Sequence, residues 1–123
     1  MKKLLIIDDS EVNLYLIESV FEQNTDIEVI IESQSTQAYD KIIAVKPDLI
    51  LLDLMMPNID GFQLLQQIRE TPEIADIAIV IISAKTDDET VNKVKEYGVK
   101  NFIKKPINLE KIELMIRELL GLF

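Results

Sequence analysis

The chain contains no cysteine, which excludes a disulfide framework, a thiol nucleophile and a thiolate metal site. It contains no histidine either. That removes imidazole catalysis and His-bound zinc, and leaves oxygen ligands, which suit a hard cation such as Mg²⁺. Basic charge is scarce: 13 Lys and Arg against 22 Asp and Glu give a formal net charge of −9. Phosphate contacts need a basic face, so direct DNA or RNA binding by this chain is not expected, nor is docking on an anionic membrane. No apolar stretch approaches the ~18 residues of a transmembrane span. The apolar run after Met1-Lys2-Lys3 stops within four residues at Asp8-Asp9, too early for a signal peptide. The expected location is cytoplasmic.

What is present suffices for one core. The chain has 123 residues, 48% of them apolar, and is read as a single domain over 1–123. Five apolar runs stand out: Leu4–Ile7, Ile27–Ile31, Leu49–Leu52, Ile77–Ile82 and Phe102–Ile103. Near-continuous β-branched and leucine runs are the mark of strands covered on both faces. Glu28 and Glu32 make the second run more amphipathic, as an edge strand would be.

Helical patterns fill the gaps. Ser10 is placed as the cap of a first helix striped by Leu16, Ile17, Val20 and Phe21. Ser35 is placed as the cap of a second, carrying Ala38, Ile42 and Val45 and ended by Pro47. Asp60 starts a third, with Phe62, Leu65 and Ile68, that stops near Thr71-Pro72. Thr86-Asp87-Asp88-Glu89 reads as a capping box for a fourth, with a thin stripe of Val91, Val94 and Tyr97 and Gly98 just beyond its end. Asn108 caps a fifth, striped by Leu109, Ile112, Ile116, Leu119 and Leu120, with Leu114 off the stripe. Five βα units in series imply an α/β fold: a doubly wound parallel sheet with helices on both faces.

Such sheets bind ligands beyond the carboxyl ends of their strands. The polar residues of interest fall at those ends: Asp8 and Asp9 after the first run, Asp53 after the third, Ser83 after the fourth, Lys105 after the fifth. Three carboxylates in one pocket repel each other by several kcal/mol at ~4 Å and an effective dielectric near 20. A Mg²⁺ ion would offset that repulsion, and Lys105 would add a fixed positive charge. A phosphoryl group entering between them would meet the clamp that in-line transfer requires. Asp53, on the central run, is the natural nucleophile, and Ser83 is placed to donate to a phosphoryl oxygen. Taken singly, an Asp-Asp is usually a turn or cap, and a Lys-Pro a loop. Their recurrence at strand ends carries the argument. Lys104 should point to the opposite face from Lys105 and be solvated.

Over essentially its whole length the chain resembles the receiver domain of bacterial two-component response regulators, of the chemotaxis-regulator kind. The resemblance rests on Asp8-Asp9, Asp53 with the following Leu54-Met55-Met56-Pro57-Asn58-Ile59-Asp60-Gly61, Ser83-Ala84, and Lys105-Pro106 with Phe102 three residues before the lysine. It implies a flavodoxin-like (βα)5 fold with strand order 2-1-3-4-5, and a usually cis Lys105–Pro106 bond. It implies Mg²⁺ held by Asp8, Asp9, Asp53 and the backbone carbonyl of Met55. Phosphorylation would fall on Asp53, with Ser83 and Phe102 as switch residues. Met55 and Lys85 would occupy the positions that flank the water attacking the phosphoryl group and modulate its lifetime.

The implied partners are a sensor histidine kinase or phosphotransfer protein, and an output domain or downstream protein met by the face of the fourth helix, fifth strand and fifth helix. In this reading the chain is not an enzyme beyond catalysing its own phosphorylation and dephosphorylation. The alternative is a degenerate receiver serving only as a protein-interaction module, against which the full acidic set and Lys105 argue. A flavodoxin would want a Ser/Thr/Gly-rich phosphate loop where Asp8-Asp9-Ser10-Glu11 stands, and an aspartate-dependent phosphatase would want Asp-x-Asp. No DNA-binding segment follows the fifth helix, which is expected to fade at Gly121-Leu122-Phe123. The chain is either a single-domain regulator or a receiver from a longer protein. Asn101 and Glu110 stand where winged-helix regulators commonly carry an Asp and an Arg paired across a dimer, so that dimer is not expected.

Overall fold

The computed structural model describes residues 1–122; Phe123, in the expected fading end, lies outside the described residues. The strands are β1 (Lys2–Ile7), β2 (Ile27–Glu32), β3 (Leu49–Asp53), β4 (Ala78–Ser83) and β5 (Asn101–Lys104). The helices are α1 (Glu11–Val20), α2 (Ala38–Val45), α3 (Gly61–Glu70), α4 (Asp88–Glu96) and α5 (Leu109–Leu119). The strands form one parallel sheet in the order β2-β1-β3-β4-β5, as expected.

Alternation along each strand divides the core in two. Leu5, Ile7, Ile50, Leu52 and Ile81 face a layer built on α2, α3 and α4. Leu4, Ile6, Leu49, Leu51 and Val80 face the layer of α1 and α5. Both sets are fully buried, which is why the three central runs lack polar alternation.

Several caps form as the sequence suggests. Ser10 accepts from the Asn13 N–H at 3.3 Å, Asp60 from Phe62 at 2.9 Å and Asn108 from Lys111 at 3.1 Å. Gly98, at φ 77°, closes α4 with Val99 N–H donating to Val94 and Gly98 N–H to Lys95. This paired pattern needs a left-handed residue after the helix, which glycine adopts without a Cβ penalty. Instead of fading, α5 closes the same way at Gly121 (φ 73°).

Four local expectations are corrected. Ser35 does not cap α2; it opens a 3₁₀ turn (Ser35–Gln37), and its buried hydroxyl donates to the Pro57 carbonyl. The cap of α4 is Asp87 rather than Thr86, because Asp87 bonds both the N–H and the hydroxyl of Thr90. On α1 the buried stripe is Leu14, Ile17 and Phe21, and Leu16 is 40% exposed. Leu16 follows Leu14 by two residues, which turns it some 200° around the helix. Leu119 is likewise exposed at the end of α5.

Candidate functional site

Sheet order creates the site. The chain runs outward from β1 to β2 in one direction and from β3 to β5 in the other, so a crevice opens between the carboxyl ends of β1 and β3. Asp8 follows β1 and Asp53 ends β3, one on each side of it. Both are buried, whereas Asp9 is exposed at the rim. One carboxylate oxygen from each of Asp8, Asp9 and Asp53 lies within 4.8 Å of the others, the spacing of a shared metal ion.

Lys105 reaches this cluster from the end of β5. Its Nζ donates to Asp53 Oδ2 at 3.0 Å and lies 3.5 Å from Asp8 Oδ2. The Lys105–Pro106 bond is cis. The Lys105 N–H also donates to the Ser83 carbonyl at 3.0 Å, tying the last two strand ends together. The other oxygens are held by backbone: Asp8 Oδ1 accepts from Ser10 N–H at 2.9 Å, and Asp53 Oδ1 from Met55 N–H at 3.1 Å.

The electrostatics follow from this crowding. Burial pushes the Asp53 carboxyl up to about 6, with the Asp8 charge adding to it; the bonds from Lys105 and the Met55 N–H oppose the rise. For Lys105, burial pulls the ammonium down, but the carboxylates of Asp53 and Asp8 together hold it above its ordinary value. One ammonium does not offset three carboxylates. The site therefore favours a further cation on chemical grounds alone.

Ser83 is fully buried one position beyond Ile82, the β4 partner of Asp53. Its oxygen accepts from the Lys85 N–H at 3.0 Å, which leaves the hydroxyl proton free to donate elsewhere. Met55 (57% exposed) and Lys85 are exposed on the loops after β3 and β4. Phe102 is half-buried against the α2–α3–α4 layer, and Lys104 is exposed as expected. Leu114 is exposed on α5, also as expected.

The loop after β3 is shaped by close packing. A Cβ at Gly61 would stand 2.4 Å from the Leu54 carbonyl oxygen, so only glycine permits α3 to start so near the acceptor strand. Asn58 takes a left-handed turn at φ 67°, and Ser35 ties Pro57 from outside. One site residue escaped the sequence reading. Asn13 Nδ2 donates to Asp8 Oδ2 at 3.4 Å. Its signal was its place in the first turn of α1, which aims a side chain back toward the strand end. A cavity of ≈ 540 Å³ between α2 and α3 is lined by none of the acidic cluster. In the carboxylate cluster Asp8 and Asp53 are buried and Asp9 is exposed at the rim.

The response regulator receiver domain family matches residues 4–117. The chain belongs to that family. It is 37% identical over 123 residues to the response regulator ArlR of Staphylococcus saprophyticus, a match covering 98% of this chain and 53% of that protein. The receiver spans about half the length, or less, of the curated relatives it matches. Among solved structures it superposes on the signal receiver domain of a DNA-binding response regulator (merR) from Colwellia psychrerythraea 34H. The TM-score there is 0.90 at 28% identity, covering 98% of this chain and 99% of that one. It also superposes on the Mn²⁺-bound form of response regulator Rcp1, with TM-score 0.81 at 26% identity, covering 98% and 93%. Receivers of this family work in two-component signalling, bind a divalent cation at an acidic pocket, and interact with histidine kinases and output domains. Among the described residues no helix is long and apolar enough to cross a membrane.

Proposed function

We propose that the chain is a phosphoryl-accepting switch in which Asp53 takes a phosphoryl group from the phosphohistidine of a sensor kinase or phosphotransfer protein. The observation that carries this reading is the Lys105 ammonium lodged between Asp53 and Asp8. It marks the place where negative phosphoryl oxygens would arrive. Asp8, Asp9 and Asp53 fit a Mg²⁺ ion, the Met55 carbonyl would complete its protein ligands as the family resemblance implies, and the Mn²⁺ held by the Rcp1 relative supports that chemistry. When bound, the cation neutralises charge on the transferring phosphoryl group.

An Asp53 oxygen attacks phosphorus in line with the phosphorus–nitrogen bond. That bond breaks, its electron pair returns to the donor imidazole, and solvent supplies the proton. Lys105 then leaves its bond to Asp53 for a phosphoryl oxygen. The Ser83 hydroxyl donates to another. Ser83 shifts toward the phosphoryl group, Phe102 fills the space it leaves, and the α4–β5–α5 face changes its preferred packing for an output domain or downstream protein. Met55 and Lys85 govern the lifetime of the phosphorylated state, since neither can hold an attacking water as a carboxamide or carboxylate would. In this reading the chain is one receiver domain that passes its signal to an output domain or a downstream protein.

The test is labelling with acetyl phosphate. Wild type should take up one phosphoryl group in Mg²⁺ and none in excess EDTA, and Asp53→Asn should take up none. Lys105→Ala should stay folded but lose the backbone shifts that a beryllofluoride phosphoryl mimic produces around α4 and β5. Full labelling of Asp53→Asn would overturn the assignment.

A further inference from the structure

A cleft of ≈ 270 Å³ opens between the amino-terminal half of α1 and the carboxyl end of β2. One wall is a helical stripe of Glu11, Leu14, Tyr15 and Glu18, at spacings of three and four. The other is Ile31 with Glu32. β2 pairs only with β1, so it is an edge of the sheet. Ile27, Val29 and Ile31 share its α1-side face, and cover fades along them: Ile27 is buried, Val29 half-buried and Ile31 38% exposed. Tyr15 is 68% exposed opposite, while buried Leu14 makes the floor. The result is an open apolar seat between an aromatic ring and an aliphatic side chain.

Charge selects the occupant. No lysine or arginine occurs between Lys3 and Lys41, a stretch carrying nine Asp and Glu. Glu11 and Glu18 rim the seat, and no salt bridge among the described residues neutralises either of them; the Glu32 carboxylate, next along the strand, is already bonded by the Gln34 N–H at 2.9 Å. Glu11 and Glu18 stand two helical turns apart, ~10 Å along α1. An acidic partner would be repelled and a purely apolar one would leave the rim unanswered. A cationic segment with an apolar anchor complements both features.

We propose that the α1–β2 cleft docks a basic amphipathic helix of a partner protein. One apolar side chain sits over Leu14 between Tyr15 and Ile31. Lysines or arginines two turns apart meet Glu11 and Glu18. The surface is separate from the α4–β5–α5 face, and from the side of α1 where Val20 packs in the α5 layer. It depends on no phosphorylation at Asp53.

The probe is a synthetic amphipathic helix of leucine, alanine and lysine, titrated at physiological ionic strength into the isotope-labelled chain. Saturable binding with shifts centred on α1 and the end of β2 is expected. Glu11→Lys with Glu18→Lys should weaken it about tenfold or more, Tyr15→Ser several-fold, and Glu70→Lys with Glu73→Lys, distant on and after α3, hardly at all. Glu11, Tyr15, Glu70 and Glu73 are exposed and Glu18 is half-buried, so circular dichroism should show an unchanged fold. The same peptide with glutamate for lysine should not bind. Undiminished binding by the Glu11/Glu18 double variant, or shifts centred on Asp8, Asp9 and Asp53, would overturn the proposal. So would concentration-dependent self-association that buries the cleft without peptide, which would assign it to a second copy.

Discussion

The centre of the sheet and its β5 flank are built to different standards. All five residues of β3 are buried, and the strand is paired on both sides, with β1 and β4. β5 has four residues, none fully buried, and pairs only with β4. Beside it, α4 buries only Thr90 and Val94, whereas α3 buries Gly61, Leu64, Leu65 and Ile68. The contrast places Asp53 on the element least able to move and Phe102 on one of the most able. In the proposed mechanism, a modification at the fixed point is read out where rearrangement costs least.

The sharpest test of that contrast is stability. Leu51→Ala, in the centre, should cost about 3 kcal/mol or more, while Val91→Ala on half-buried α4 should cost about 1 kcal/mol or less. Urea unfolding of both variants measures the difference, and equal losses would break the comparison.

The next effect reverses the usual sign of a core substitution. The Asp53 carboxyl titrates at about 6 in the folded chain against an ordinary 3.8. Between those values the folded state binds more protons than the unfolded one, so the stability this group contributes is lost as pH rises through the window. Without metal, Asp53→Asn should therefore be more stable at pH 7, by on the order of 1–3 kcal/mol. Its advantage should vanish toward pH 4. Thermal unfolding across this pH range, in EDTA, measures it.

A smaller effect concerns how the loose flank is tethered. Arg69, from the last turn of α3, donates to the carbonyls of Tyr97, Ala75 and Ile77 at 2.7, 2.9 and 2.7 Å. It pins the carboxyl end of α4 while the rest of that helix has thin cover. Arg69→Ala should cost roughly 1–2 kcal/mol, and hydrogen exchange should speed in α4 far more than in β3. Uniform acceleration would mean that α4 is not an independently yielding unit.

The smallest effect lies on the loops between the two regions. Met55→Asn and Lys85→Glu should each speed loss of the phosphoryl group, together by about tenfold, or ~1.4 kcal/mol of barrier. Decay of the labelled protein after removal of the phosphodonor measures this. An unchanged rate in the double variant would remove these side chains from control of lifetime.

Much of this architecture was legible in the chain itself. Four apolar runs long enough for strands but too short for buried helices, with a shorter fifth at Phe102–Ile103, announced the sheet, and the polar residue closing four of the five announced the site. The caps at Ser10, Asp60 and Asn108 and the stop at Gly98 were readable because capping is decided within four residues. Strand order came with the family resemblance rather than from periodicity, which says nothing about which strands are neighbours.

What only the tertiary structure decided lies across longer separations. Ser35 looked like a cap, but a carbonyl 22 residues away claims its hydroxyl. Arg69, which no local pattern singles out, closes three backbone acceptors, one of them 28 residues distant. Leu14 rather than Leu16 enters the core because the direction of the sheet, not the helix's own composition, selects the buried stripe. The sequence determined element type, turn chemistry and the residues at the strand ends, because these depend on near neighbours and on alternation. Distances between strand ends, the raised pKa of Asp53 and the open cleft beside α1 depend on how separate elements pack. No local pattern encodes them.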